Sequence, residues 1–171
     1  MAFLISDLSG LLRDILAAGD GELETDLLTF RGTVTQSGDV TQPTNVTLKN
    51  THDYFITRVH SGMTYLAANY ADQDLIRWNI QVSGTGKNMF RYDVEMATCS
   101  VPGSGEPVPI DFAPGGYAIR AGAELSQTIT RRSSLGNATS RIVTTMLAAI
   151  VAPKGAIDRY LGRLAGPGQA G

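Results

Sequence analysis

A chain of 171 residues is long enough to bury a core without disulfides or metals, and with one cysteine, Cys99, no disulfide can form within it. A net charge of −2 with 18% charged residues leaves no basic block, which argues against an electrostatic nucleic-acid footprint. Nineteen glycines suit many turns between short strands.

The first segment reads as an amphipathic helix. Leu8, Leu11, Leu12, Ile15 and Leu16 fall at i, i+3, i+4, i+7 and i+8, one apolar stripe. Ser6 is placed to cap it, Asp7 suits the positive end of the helix dipole, and Gly19 and Gly21 stop it. The run lacks the basic start of a signal peptide and is interrupted by Asp7 and Arg13-Asp14. No stretch has the length and apolarity of a membrane span. The stripe must be covered, either by the rest of the chain or by a neighbouring subunit.

Residues 21–26 read as a short acidic linker. Leu28 to Gln36 follows as a strand with Leu28, Phe30, Gly32 and Val34 on one face. Val46 and Leu48 alternate with polar neighbours, and Tyr54 to Val59 is another strand, broken at Ser61-Gly62. Met63 to Asp74 is ambiguous between a helical turn and a loop. The clearest pair is next. Ile76, Trp78, Ile80 and Val82 share one face, and after a Gly-rich turn Phe90, Tyr92, Val94 and Met96 share one face of a second run. Ile76, Trp78, Ile80, Phe90, Tyr92 and Val94 are the expected core.

Residues 100–109 carry three prolines and two glycines and form the longest expected loop. Ile110 to Phe112, a Pro114-Gly115-Gly116 turn and Tyr117 to Ile119 follow, with Gly122 at an expected bulge. Glu124 to Thr130 is a strand. Ile142 to Val151 would also fit a helical stripe, but its Ile, Val and Thr content favours a strand closed by Pro153. Ile157, Tyr160, Leu161 and Leu164 then repeat at helical spacing before a Gly/Pro tail.

Catalytic constellations are sparse. His52 and His60 lack the H-x-H or H-x-D spacing of a metal-binding barrel. Cys99 has no nearby base, and Gly84 to Asn88 lacks the spacing of a phosphate loop. Asp93 and Glu95 share a strand face, about 7 Å apart, but no stacking aromatics accompany them as a glycosidase would need. No catalytic residue, metal or organic cofactor is therefore expected.

The run Phe112 to Thr130 (FAPGGYAIRAGAELSQTIT) and the strand Ile142 to Val151 resemble the late strands of jelly-roll-like structural proteins of viruses and bacteriophages, such as capsid, cement or connector proteins. The expected architecture is mainly β: an antiparallel two-sheet sandwich over residues 28–152, preceded by a helix and linker (1–27) and followed by a short helix and tail (153–171). The resemblance implies a non-catalytic virion protein. Its partners would be copies of itself and other particle proteins, with no specific nucleic acid. The subunit interface is expected at Leu8, Leu11, Leu12, Ile15, Leu16, Tyr160, Leu161 and Leu164. A carbohydrate- or surface-binding sandwich is the alternative.

Overall fold

The computed structural model describes residues 2–18, 22–34, 40–41, 44–65, 76–83, 87–99, 108–131 and 141–164. In chain order these form β1 (Ala2–Ile5), α1 (Leu8–Ala17), β2 (Glu24–Val34), β3 (Val40–Thr41), β4 (Thr44–Thr47), β5 (His52–Tyr65), β6 (Ile76–Val82), β7 (Lys87–Asn88) and β8 (Val94–Glu95). A 3-10 turn at Met96–Cys99 leads on to β9 (Ile110–Asp111), β10 (Gly116–Ile119), β11 (Glu124–Arg131), β12 (Arg141–Pro153) and α2 (Ala156–Leu164).

The alternating runs pair into two antiparallel sheets. Sheet A has the order β1-β10-β5-β12-β2, with β9 also on β5; sheet B has the order β3-β11-β6-β7, with β4 also on β11 and β8 on β6. The pairing is nested. β2 pairs with β12, β3 and β4 with β11, β5 with β9 and β10, and β6 with β7 and β8. A long antiparallel ribbon of this kind, rolled so that β5 meets β12 and β6 meets β11, is a jelly roll.

The main core fills the space between the sheets. Phe30, Tyr54, Ile56, Val59, Val143 and Leu147 of sheet A meet Ile76, Trp78, Ile80, Leu125 and Ile129 of sheet B. A polar link crosses it: Gln127 Nε2 donates to Thr145 Oγ1 at 2.5 Å, and Thr145 Oγ1 is 2.9 Å from Ser61 Oγ. All three side chains are buried.

A β-bulge sets which face each β5 residue takes. Opposite Ala149 and Ala148 of β12 stand Ile56 and Arg58, leaving Thr57 as the extra residue. Tyr54 and Ile56 therefore point into the main core, whereas beyond the bulge Val59 does so and His60 lies on the other face. The Thr57 hydroxyl donates to the Ala148 carbonyl, and the Thr57 carbonyl accepts the Phe112 N–H at 3.0 Å. The displaced backbone thereby recovers its bonds.

Several expectations need correction. Asp7, not Ser6, caps α1, its Oδ1 accepting the Gly10 N–H at 2.9 Å. The stretch taken as a linker through Asp26 already belongs to β2, because Glu24 to Asp26 pair with Val151 to Ala149. Ser61-Gly62 does not break β5, since Ser61 finds a buried partner in Thr145. Gly122 forms a turn at φ +74, not a bulge.

The second strand of the expected hairpin is not continuous. Buried Asn79 accepts the N–H groups of Ile80 and Phe90 at Oδ1 and donates from Nδ2 to the Phe90 carbonyl and Asp93. One side chain thus supplies the bonds a strand would have made, and residues 89–92 bend. Tyr92 is consequently 74% exposed, not core, and Phe90 and Val94 are only partly buried. Ile76, Trp78 and Ile80 are core as expected. The ambiguous residues 66–75 and the segments 100–107, 132–140 and 165–171 lie outside the described residues.

Gly115 marks a close approach. A Cβ there would sit 2.2 Å from the Ile5 carbonyl oxygen, which is backbone. Gly115→Ala is expected to push β1 off the turn, an overpacking cost of about 1–3 kcal/mol. At about 2–4 °C per kcal/mol for a chain of this size, thermal unfolding would show it; an unchanged midpoint would mean that β1 is not held there.

Candidate interaction surfaces

The outer face of sheet A is apolar at one end. Phe55 pairs with Ala118 on one side and Ile150 on the other, and Ala152 lies beyond. Both helices cover this patch. Ile5, Leu8, Leu11 and Ile15 form a second buried cluster with Phe55, Ala118, Ala152, Ala156 and Ile157. Leu12, Leu23, Ile150, Tyr160 and Leu161 pack partly buried against it. The protein is therefore three layers deep at this end.

That packing corrects the expected interface. Leu8, Leu11 and Ile15 are at most 4% exposed within the chain itself, so they are core residues of the subunit. The reason is the second apolar face of sheet A, which needs a cover as much as the helix does. Leu12, Tyr160 and Leu161 are half-covered, and Leu16 stays 57% exposed. The Leu164 side chain lies outside the described residues.

A buried carboxylate that the sequence reading missed fixes α2. Asp53, 2% exposed, accepts Ala121 N–H at Oδ1 (3.0 Å) and Gly155 and Ile157 N–H at Oδ2 (3.0 and 3.1 Å). It thus caps the positive end of α2 and ties it to the β10–β11 turn. An Arg120–Asp158 ion pair joins the same two elements at the surface. The visible signal was a lone acid between Thr51-His52 and the apolar run Tyr54 to Ile56.

Beyond the helices no element among the described residues packs on the outer face of sheet A. Successive rows are Leu27, Ala148 and Arg58; Thr29, Met146 and His60; Arg31, Thr144 and Gly62. Arg58 is engaged by Asp111, its Nε and Nη2 both donating to Oδ2 (3.2 and 2.7 Å). The Ala113 N–H and this guanidinium hold the Asp111 carboxyl below its ordinary value, so the pairing is present above that value and lost as acid protonates the group. A shallow groove of about 270 Å³, lined by Thr57, Arg58, Asp111, Ala113 and Ala148, lies at this bulge. The remaining rows are Thr-rich and carry one further charge, Arg31.

The free edge of β2 is blunted against strand addition. The Leu27 N–H is taken by Asp26 Oδ1 at 2.8 Å, and the Arg31 carbonyl accepts from the Thr44 hydroxyl at 3.3 Å. Charged side chains at Glu24, Asp26 and Arg31 add to this protection.

Residues 89–93 form a bent tip after β7. Asn79 holds them from below, and Phe90 packs edge-on against Trp78 (centroids 5.5 Å) and stacks on Phe112 (6.1 Å). The tip presents Tyr92, with the Arg91 guanidinium 5.5 Å from its ring centroid. The two carboxylates considered for catalysis are occupied here: Asp93 accepts from Asn79 Nδ2 at 3.1 Å, and Glu95 binds Arg77 at 2.6 Å. His52 Nδ1 is 2.7 Å from the Thr51 hydroxyl, and the bulge puts His60 on the opposite face of β5 from His52. Cys99 is fully buried.

Among the described residues no group of three His, Cys, Asp or Glu side chains could hold a metal ion, and no helix is long and apolar enough to cross a membrane. No protein-family model matches the chain, and no curated protein does. Weak likenesses to solved viral proteins exist. The decameric BFDV capsid protein is 10% identical at a TM-score of 0.30, over 76% of this chain and 99% of that one. A structure of infectious bursal disease virus, Gx strain, is 9% identical at 0.29, over 78% of this chain and 38% of that one. The chain thus bears a weak resemblance to viral capsid proteins.

Proposed function

We propose that this protein is a structural, non-catalytic component of a virion or similar large particle, acting through contacts with copies of itself and with other particle proteins. The reading starts from the strand order. Jelly rolls serve as capsid subunits, lectins and cupins, and fold alone does not choose among them. The observation that favours the first is how this jelly roll is filled. Trp78, Tyr54, Phe30, Ile80 and Leu125 occupy the space between the sheets, the space a cupin would keep for its metal. What remains available is outer surface: the weakly charged rows of sheet A and the exposed side chains Leu4, Leu16, Leu27 and Tyr92. Low net charge also lets like subunits approach without strong repulsion.

Sedimentation velocity and native mass spectrometry over a range of concentrations test this. The expected result is discrete species well above the 18.2 kDa monomer. A carbohydrate-binding module is the second reading, favoured by the exposure of Tyr92 beside Asp93. A strict monomer that binds a glycan array, and loses binding with Tyr92→Ala, would replace the first reading by the second.

A further inference from the structure

We propose that β1 of one copy pairs with β1 of a second copy across a two-fold axis, joining the two A sheets into one. This rests on the assembly reading above and names one of its contacts.

β1 ends sheet A on the side opposite β2. Its inner edge is held by β10, with Ala2, Phe3, Leu4 and Ile5 opposite Ile119, Ala118, Tyr117 and Gly116. The close approach at Gly115 shows how the backbone is turned, because it aims the Ile5 carbonyl at the β10 side. Backbone groups alternate in direction along a strand. Phe3 therefore also aims its N–H and C=O at β10, and Ala2 and Leu4 aim theirs at the free edge. Among the described residues nothing bonds to the Ala2 and Leu4 groups there.

The two edges of sheet A differ. The β2 edge is blunted by Asp26, Thr44 and flanking charges. β1 (AFLI) has no charge, proline or bulge, and its Leu4 stays 63% exposed beside the buried Tyr117. An apolar edge strand with open backbone groups is a template for another strand.

The occupant is a second copy because β1 is its own complement. A two-fold axis normal to the sheet sets two β1 strands antiparallel, with like faces on one side. Centred on Phe3, the pairing puts Ala2 of each copy opposite Leu4 of the other. Every open N–H and C=O of the two strands is then bonded, and no charge on either strand opposes the approach. The strand is already ordered by β10, so little conformational entropy is lost. The contact is isologous and closes at a pair, so a larger particle grows through other surfaces.

The test compares wild type with Leu4→Lys and Leu4→Pro by sedimentation velocity, after circular dichroism has checked the fold. Proline at this position removes an N–H that β10 does not use, so the subunit keeps its ladder. Both variants are expected to weaken association about tenfold or more. Should Leu4→Pro fail to fold, Leu4→Lys and a cross-link decide alone. For the cross-link, Phe3→Cys and Leu4→Cys are oxidised in parallel. Facing Phe3 positions lie about 4.5 Å apart between Cα atoms, whereas the two Leu4 positions fall beyond the disulfide limit of about 7 Å. Phe3→Cys should therefore cross-link to a dimer and Leu4→Cys should not; Cys99 is buried and does not compete. If wild type assembles and both Leu4 variants assemble equally well, this contact is wrong while the structural reading stands. Weakened assembly without the Phe3→Cys cross-link means that a strand other than a second β1 takes the edge, and the two-fold pairing is wrong. A wild type that stays monomeric at about 100 μM, where even weak contacts are populated, overturns the structural reading and this contact together.

Discussion

Asp53→Ala is expected to destabilise the protein by about 3–5 kcal/mol and to loosen α2 from sheet A. The carboxylate accepts three backbone N–H bonds in a site that is 2% exposed. Hydrogen bonds to a charged group contribute about 1.5–3 kcal/mol each. The total stays below the sum because amides at a helix start can regain water once the acceptor is gone. At about 2–4 °C per kcal/mol, the melting temperature should fall by roughly 10 °C. Asp53→Asn should lose less, since the side chain keeps one acceptor oxygen. Hydrogen exchange should show the amides of Gly155, Ile157 and Ala121 losing protection first. If Asp53→Ala melts with the wild type, the carboxylate does not hold α2.

The parts of this fold legible in the sequence are those where alternation carries the signal. Ile76-Trp78-Ile80-Val82 has one apolar face over a packed interior, and β6 is buried along that face. β12 was legible through its Ile, Val and Thr content even though a helical stripe also fitted. The third layer was less so, although its mark is present. Tyr54-Phe55-Ile56, Tyr117-Ala118-Ile119 and Val151-Ala152 are apolar on both faces, the pattern of strands covered on two sides. Those runs imply that sheet A needs something on its outside, and the two amphipathic helices are the elements able to supply it. The bulge at Thr57 leaves no mark in such a run, because shifting the register of a doubly apolar strand changes nothing visible in its pattern. In the sequence Asn79 alternates with Trp78 and Ile80, as any residue on the polar face of a strand would. Only the pairing reveals that it replaces a strand's bonds and so turns Tyr92 outward.

Removing residues 1–20 is expected to unfold the subunit and not merely to prevent its assembly. The deletion takes away β1, which completes the edge of β10, together with Ile5, Leu8, Leu11 and Ile15 from the second cluster. It also uncovers Phe55, Ala118 and Ala152. Truncating even one such buried leucine to alanine costs about 2–5 kcal/mol, against a total stability of about 5–15 kcal/mol for a typical domain. The truncated chain should therefore lose its near-ultraviolet dichroism and bind hydrophobic dyes. Point variants separate core from interface more finely. Leu8→Ala should melt well below wild type, because Leu8 lies under the helix at 4% exposure. Leu16→Ala, at a position 57% exposed on the same helix, should shift stability by no more than about 0.5 kcal/mol. Any effect of Leu16→Ala on particle mass then reports a contact between subunits, free of a folding defect. A stable, fully folded truncation would mean that α1 is not part of the subunit's core, and the terminal stripe would return as a candidate interface.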